Sequence, residues 1–405
     1  MASEFKFKRF SPTADNLPRN SPSAPIRILG SGLSALTLAC SLRKKHIPFQ
    51  IYTRDTRPQS FWDRHDYSLL LSGRSIRALR RLLCIGEDVF QRTLLVPLTT
   101  PFPSKSRELV KIRIHRGKLE YLLRQAFEKE IEWECEIKVE SEASGLPRLI
   151  FPSHVDKLEG SITFDCMGAH SPIKYAEVSH TILPVVVFRG QMFLSKSSWD
   201  RKFRHWFPNN TSQIREQFDK TILELIIDDV HPHGGVVKLS YVYSRPRLDG
   251  PIDPPDELWV PKRSIDEARS PALIEKFLDE VEVFRQEYNL PKPYDEVFNP
   301  ERMKEDDLVH WLQRHSRANQ PKLIHLWNGD ERIFKLGDAI FQMSILESTG
   351  AELAIQDGIG VAREIERCRE AMLHKWLISG WVGRHWHGHA SFHRMAKRYR
   401  SEVIE

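Results

Sequence analysis

Residues 30–35, Gly-Ser-Gly-Leu-Ser-Ala, are the stretch whose residue types and spacing speak most directly of chemistry. Gly30 permits a sharp turn, and Gly32, without a side chain, lets backbone N–H groups at a helix N-terminus approach an anion. Ala35 stands where a third glycine is usual and is small enough for close helix–strand packing. Between a strand and a helix, such a turn binds a dinucleotide pyrophosphate, whereas in isolation the same small residues serve ordinary packing. Gly30, Ser31, Gly32, Leu33 and Ser34 are therefore candidate cofactor contacts. A carboxylate roughly 20 residues further on normally takes the ribose hydroxyls. Here that place holds Thr53, followed by Arg54 and Asp55, and Arg54 joins the candidate contacts.

Two other groups of reactive side chains carry less. His385, His387, His389 and His393 lie close together, and the last two have the i, i+4 spacing of a metal pair, but no carboxylate or cysteine accompanies them. No metal site is expected. Cys40, Cys84, Cys135, Cys166 and Cys368 are far apart and form no C-x-x-C pair, the pattern of buried thiols in a reducing, cytoplasmic setting.

The elements around the turn agree with the dinucleotide reading. Ile26 to Leu29 is a short apolar run. Leu33, Leu36, Ala39, Cys40 and Leu42 give one helical face, and Phe49 to Tyr52 makes a second strand, which together predict a βαβ unit. A strand at Leu69–Leu71 leads into a helix with Ile76, Leu79, Leu82 and Leu83 inward. Pro97, Pro101 and Pro103 mark a loop. Val110, Ile112 and Ile114 alternate as a strand before a helix carrying Leu119, Leu122, Leu123 and Phe127, with Arg116 at the junction. Strands are expected at Trp133–Val139, Leu149–Phe151 and Ile162–Cys166. From 180 to 245 the texture is all-β, with strands at Val185–Phe188, Thr221–Ile227 and Val236–Tyr243, and turns at Asn209-Asn210 and 231–235. A proline-rich loop over 245–263, an amphipathic helix over 271–285, a strand at Arg332–Leu336 and a long helix from about 349 follow.

Composition narrows the class. The 405 residues are 40% hydrophobic and 28% charged, as in a globular protein, and the net charge of +6 is dispersed rather than gathered into a tract that would follow a nucleic-acid backbone. No apolar stretch is long enough for an integral membrane segment. Residues 1–24 read as a disordered leader, and 370–405 as a helical tail with Trp376, Trp381 and Trp386.

Three segments, Gly30–Ala35, Asp165–Lys174 and Gly337–Gly358, occur in an order that resembles the FAD-dependent aromatic hydroxylases, single-component flavoprotein monooxygenases, and especially their fungal secondary-metabolism branch. The resemblance covers roughly residues 25–365. It implies an α/β fold, in which a Rossmann-like FAD-binding domain holds an inserted β-rich substrate domain and ends in a helical C-terminal tail. The corresponding boundaries are 25–180 and 301–369 for the FAD-binding parts, 181–300 for the β-rich domain and 370–405 for the tail. It further implies that Asp338 binds the ribityl chain, that Gly350 and Ala351 present backbone N–H groups to the flavin, and that Arg116 reaches the FAD phosphates or flavin. FAD is then the cofactor, NAD(P)H the reductant and a small metabolite the substrate. Arg189 and Tyr241, in strands expected to face that substrate, are the candidate catalytic side chains.

The motifs depart from the family pattern at several places. Met167 stands in place of an aspartate, with Asp165 two residues earlier as a possible substitute. Phe341, Ile345, Glu347, Ser348 and Glu352 replace a histidine, a proline, a basic residue, a glycine and an asparagine of the late motif. A carboxylate at 352 would disfavour anionic reduced flavin unless protonated or turned away. The expected activity is hydroxylation or epoxidation of an aromatic, polyketide or alkaloid-type metabolite; the alternative is a redox-inactive relative acting as a cyclase, isomerase or binding protein.

Overall fold

In the computed structural model, the described residues are 25–57, 67–96, 111–141, 147–151, 154–155, 162–173, 178–208, 211–230, 235–248, 256–259, 269–318, 333–340, 342 and 349–371. The leader, the proline loop at 97–103, the turns at Asn209-Asn210 and 231–234, the altered positions Phe341, Ile345, Glu347 and Ser348, and the tail with its histidines and tryptophans lie outside them.

The chain begins as its apolar pattern dictates. Strand β1 (Ile26–Leu29), helix α1 (Leu33–Lys44) and strand β2 (Phe49–Tyr52) form the expected βαβ unit, with β1 and β2 parallel and in register from Ile26 opposite Phe49 to Leu29 opposite Tyr52. Next come the antiparallel pair β3 (Ser68–Ser72) and β4 (Lys111–His115), with helices α2 (Gly73–Leu83) and α3 (Glu87–Leu94) between them and α4 (Arg116–Gln125) after. Ser72 caps α2 by accepting the Ser75 N–H, and Cys84 closes it in the left-handed conformation. Trp133–Val139 is not one strand. β5 is only Ile131–Glu132, Glu134 turns with φ +58°, and a separate meander β6 (Lys138–Ser141), β7 (Pro147–Phe151) and β8 (His154–Val155) follows. A residue at positive φ breaks the alternation that a continuous strand needs.

Strand β9 (Thr163–Asp165) and, from the far end of the chain, β17 (Ile333–Lys335) complete a five-stranded parallel sheet in the order β17-β9-β1-β2-β5. The last helix, Gly350–Ala371, packs on α1. Gly358 makes this possible: a Cβ there would stand 2.3 Å from Thr37 Oγ1 and 2.7 Å from the Leu38 nitrogen and the Ser34 carbonyl oxygen. Leu36, Ala39, Leu79, Ile114 and Ile355 are fully buried in the core between sheet and helices.

The segment between β9 and β17 builds a second body. Strands β10 (Val178–Ile182) and β16 (Arg314–Ala318) pair antiparallel as a connector. Strands β11 (Val185–Ser195), β12 (Gln213–Phe218), β13 (Thr221–Val230), β14 (Val236–Pro246) and β15 (Val309–His310) form an antiparallel sheet in the order β12-β13-β14-β11-β15. β14 thus extends into what the prolines marked as loop. One face, with Phe188, Leu223, Leu225, Leu239, Tyr241 and Tyr243, is buried against the amphipathic helix Pro271–Tyr288, whose Phe277 ring stacks on Phe188 at 3.8 Å. The period-2 alternation of strands turns the other face towards the parallel sheet. No helix among the described residues is long and apolar enough to cross a membrane.

Candidate functional site

The strands β1, β2, β9 and β17 all end at one crevice, where the strand order reverses about β1, the place where open parallel sheets bind ligands. A cavity of about 580 Å³ opens there and runs to the free face of the antiparallel sheet. Gly30, Ser31, Gly32, Leu33, Ser34, Arg54, Arg116, Asp338, Gly350 and Ala351 all line it, so residues scattered over most of the sequence meet in one place.

At the turn, Gly30 adopts φ +100°, and a Cβ would lie 2.6 Å from the Cys166 carbonyl oxygen, so only glycine fits. A Cβ on Gly32 would meet nothing within 4 Å. Gly32 is the N-cap of α1, which has no side-chain cap and no acidic residue in its first turn. Its N–H groups are thus available to an anion, as a pyrophosphate requires. Thr53 is buried, and Asp55 reaches back to the turn: Ser31 Oγ donates to Asp55 Oδ2 at 2.5 Å, and the Asp55 N–H donates to Thr53 Oγ1 at 3.2 Å. A carboxylate therefore stands beside the glycine turn, two residues later than usual.

Asp338 follows β17 on a short 3₁₀ turn that Gly337 enters at φ +59°. Its carboxylate is open to the cavity but deep within it, and this burial raises its pKa above the ordinary carboxylate value, with Arg116 opposing the rise and Asp357 adding to it. Arg116 starts α4. Its Nε donates to Glu120 Oε1 at 2.8 Å, Nη1 donates to the Tyr67 hydroxyl, and the guanidinium lies 4.7 Å from the Tyr67 ring centroid. Burial works against its charge, but Tyr67, Glu120 and Asp338 more than offset this and hold it ionised.

Asp165 does not replace the aspartate missing at Met167. It is fully buried and faces away from the cavity, accepting from Ser171 Oγ at 2.6 Å and from the Met167 N–H at 3.1 Å, with Lys335 Nζ 3.3 Å away. Asp165 shapes the turn, and Met167 itself lines the cavity. Glu352 is turned away. Its Oε1 accepts from Ser72 Oγ, from Ser75 Oγ at 2.9 Å and from Gln356 Nε2 at 3.1 Å, tying the last helix to the N-terminus of α2. The negative charge lies where a helix N-terminus favours it.

On the sheet side the two candidate catalytic residues separate. Arg189 lines the cavity, with Nη2 donating to Ser240 Oγ at 2.7 Å and Asp228 Oδ2 at 3.2 Å, and its guanidinium 4.8 Å from the Tyr67 ring and 5.8 Å from the Trp311 ring. Tyr241 is outside the cavity. One residue out of phase with Val242, it points into the helix-side core, lies across Gly190 and donates to Asp306 Oδ2 at 2.6 Å. Burial, with Asp306 beside it, pushes its phenol far above the ordinary value, so it is no proton donor to a ligand here.

The sequence reading missed Tyr67, Arg113, Glu224, Asp228 and Trp311, all of which line the cavity. Alternation in Ile222-Leu223-Glu224-Leu225-Ile226-Ile227-Asp228 held a signal, since carboxylates on every second or fourth position of a buried strand require partners. Arg113 supplies some: nearly inaccessible, it donates to Ser212 Oγ (3.0 Å), Ser68 Oγ (3.1 Å) and Gln213 Oε1 (2.5 Å), and the Gln213 amide donates in turn to Glu224 Oε1. Burial raises the Glu224 carboxyl, opposed by Arg113, Arg215 and Gln213.

No family model matches the chain. It is 26% identical over 369 residues to the FAD-dependent monooxygenase vrtH of Penicillium aethiopicum, covering 85% of each chain. It is 23% identical over 390 residues to the FAD-dependent monooxygenase adaC of Aspergillus niger, covering 89% of each. Among solved structures, 2,6-dihydroxypyridine-3-hydroxylase from Arthrobacter nicotinovorans superposes with a TM-score of 0.65 at 14% identity, covering 94% of this chain and 93% of that one. CtdE in complex with FAD and a substrate superposes at 0.59 with 13% identity, covering 89% and 83%. By sequence over most of its length and by fold, the chain is a homologue of the fungal FAD-dependent monooxygenases.

Proposed function

We propose that this protein is an FAD-dependent monooxygenase that hydroxylates or epoxidises an aromatic, polyketide or alkaloid-type metabolite, with NAD(P)H as reductant, in the cytoplasm. The observation that carries the proposal is the convergence of the glycine turn, Asp338 and the Gly350-Ala351 helix start on one cavity that continues to the polar face of the antiparallel sheet. Those residues fit the cofactor. The open side of Gly32 and the uncapped start of α1 accept its pyrophosphate, Asp55 its ribose, Asp338 its ribityl hydroxyls, and the N–H groups at Gly350 and Ala351 its ring.

When bound, FAD supplies the two-electron redox chemistry and the activation of dioxygen. The chain's own residues bind, orient and exclude water. Tyr67 and Trp311 line the cavity with aromatic surface at the junction of the two bodies, and Arg116, held by Glu120 and Tyr67, sets a fixed cation opposite Asp338. Glu352, bonded to Ser72 and Ser75, does not turn its carboxylate towards the cavity. The absorbance of the purified protein tests the proposal: a flavin spectrum that bleaches with NADPH supports it, and a colourless protein that cannot be reconstituted with FAD overturns it.

A further inference from the structure

Cations that stand 30 residues or more apart in the sequence meet on one outer face of the body with the parallel sheet. Helix α2 carries Arg74, Arg77, Arg80 and Arg81 and no carboxylate. Ile76, Leu79 and Leu82 bury its inner side, while Arg74, Arg77, Ala78 and Arg81, at i, i+3, i+4 and i+7, share the outer one. Arg80 turns aside to Glu87 at 2.9 Å. Helix α1 ends alongside. Its Arg43 pairs with Glu130 at 2.6 Å and its Lys45 with Glu366, whereas Lys44 is exposed and its Nζ donates to the Arg81 carbonyl, which adds a fourth cation to the ridge. Arg74 and Arg81 are exposed as well, and among the described residues no carboxylate pairs with either of them or with Lys44. Arg74, Arg77, Arg81 and Lys44 all lie outside the lining of the cavity.

Helix stability does not account for this ridge. Cations suit the last turn of a helix, but Arg74 lies in the first turn, where the dipole opposes it, and Arg74–Arg77 and Arg77–Arg81 are like charges at i, i+3 and i, i+4. The complement of such a ridge is an anionic surface, and magnitudes choose which. An exposed ion pair with a second protein is worth about fivefold at best, so four pairs barely meet the roughly thousandfold cost of fixing two proteins together. A lipid leaflet also gives about fivefold per cation, but its mobile anionic headgroups gather at each one without a fixed register. We propose that Arg74, Arg77, Arg81 and Lys44 dock the protein reversibly on the phosphates of an anionic phospholipid leaflet. Arg74 to Arg81 spans about 10 Å of helix, long enough to meet several headgroups. Ala78 between them inserts no apolar bulk, so the contact stays at the level of the phosphates and is sensitive to salt.

The test sediments the purified full chain with vesicles of phosphatidylcholine, alone or mixed with phosphatidylserine, at low and at high salt. At low salt the mixed vesicles should bind the protein roughly a hundredfold more tightly, and high salt should erase the difference. Arg74→Glu combined with Arg81→Glu should weaken that binding at least about thirtyfold, whereas Arg74→Lys with Arg81→Lys, which keeps the charge, should hold it within about threefold. Lys44→Glu, on the other helix, should cost about fivefold by itself, which decides the matter should the double reversal fail to fold. A wild type without preference for the mixed vesicles at low salt, or a preference that survives both charge reversals, overturns the inference. Sedimentation velocity without lipid checks for a second copy of the chain as the partner, and a titration with duplex DNA checks for nucleic acid. Association of either kind that the reversal abolishes, with vesicle binding unchanged, assigns the ridge to that partner and overturns the inference as well.

Discussion

Asp338 and Glu352 are acidic residues of the same late segment with opposite roles. Asp338 faces the cavity, and protein around it raises its carboxyl. Its folded-state pKa therefore lies above the unfolded one, so ionisation costs stability. That cost is absent at pH values below the ordinary 3.8, develops as pH rises through the folded value and is complete above it. Asp338→Asn should accordingly raise the melting temperature of flavin-free protein near neutrality, with the gain shrinking as pH falls, and Asp338→Ala should sharply lower the flavin content of the purified protein. Unchanged flavin content would remove Asp338 from the cofactor site. Glu352 is bonded to Ser72, Ser75 and Gln356, away from the cavity. Glu352→Ala should cost about 1–3 kcal/mol in denaturant unfolding through the partners it strands, and leave the reduction potential of bound flavin unmoved. A shifted potential would mean that the carboxylate acts on the ring.

At the scale of elements, the fit of the last helix against α1 decides whether the cavity exists. The helix starts at Gly350, lining the cavity, and passes α1 at Gly358, where a Cβ would run into backbone atoms of the partner helix at 2.7 Å. Side-chain rearrangement cannot relieve that, so the helices must part. Gly358→Ala is expected to destabilise the fold by about 1–3 kcal/mol, and to weaken FAD binding in proportion as Gly350 and Ala351 move. Equilibrium unfolding and flavin titration read the two effects. A second element-level device is the bulge in β13, where the register shifts between Ile227 and Asp229. The extra residue brings successive carboxylates to one side: Asp228 accepts from the Ser68 N–H and hydroxyl, and Asp229 lies 3.6 Å from His115 and 3.5 Å from Lys118.

For the whole molecule, these carboxylates and Arg113 add side-chain bonds between the body with the parallel sheet and the body with the antiparallel one, beside the β10–β16 connector. Arg113, on β4, reaches Ser212 and Gln213 across the junction, and burial pulls its guanidinium down while Asp228 and Glu224 pull it up. Arg113→Met keeps apolar bulk but removes every one of those donors. Its expected signature is a cost of about 2–4 kcal/mol and, in calorimetry, the splitting of one unfolding transition into two as the cores uncouple. A single transition at the wild-type temperature would mean that the junction is held by other contacts.

The order of the chain's chemistry was open to reading before any coordinates. Gly30–Ala35 between two apolar runs, a β-rich middle and the Gly337-Asp338 segment near the end determine a parallel sheet built from both ends of the sequence, because apolar periodicity and turn residues are local properties. Arg116 drew notice for the same local reason, standing where a strand gives way to a helix, whereas Asp338 was singled out only through the family resemblance. Facing is different. Tyr241 and Val242 are neighbours in sequence, yet one packs on the helix side and the other lines the cavity, and only the register of β14 against β11 and β13 decides between them. The same register sets Glu224 beside Val242 and Arg189, and the rotation of the last helix about Gly358 sends Glu352 to Ser72 and Ser75. The sequence specified that these charges exist in buried elements; which of them meet was determined by how the two sheets and the last helix pack, since partners more than 30 residues apart are chosen by tertiary contact and leave no local signal.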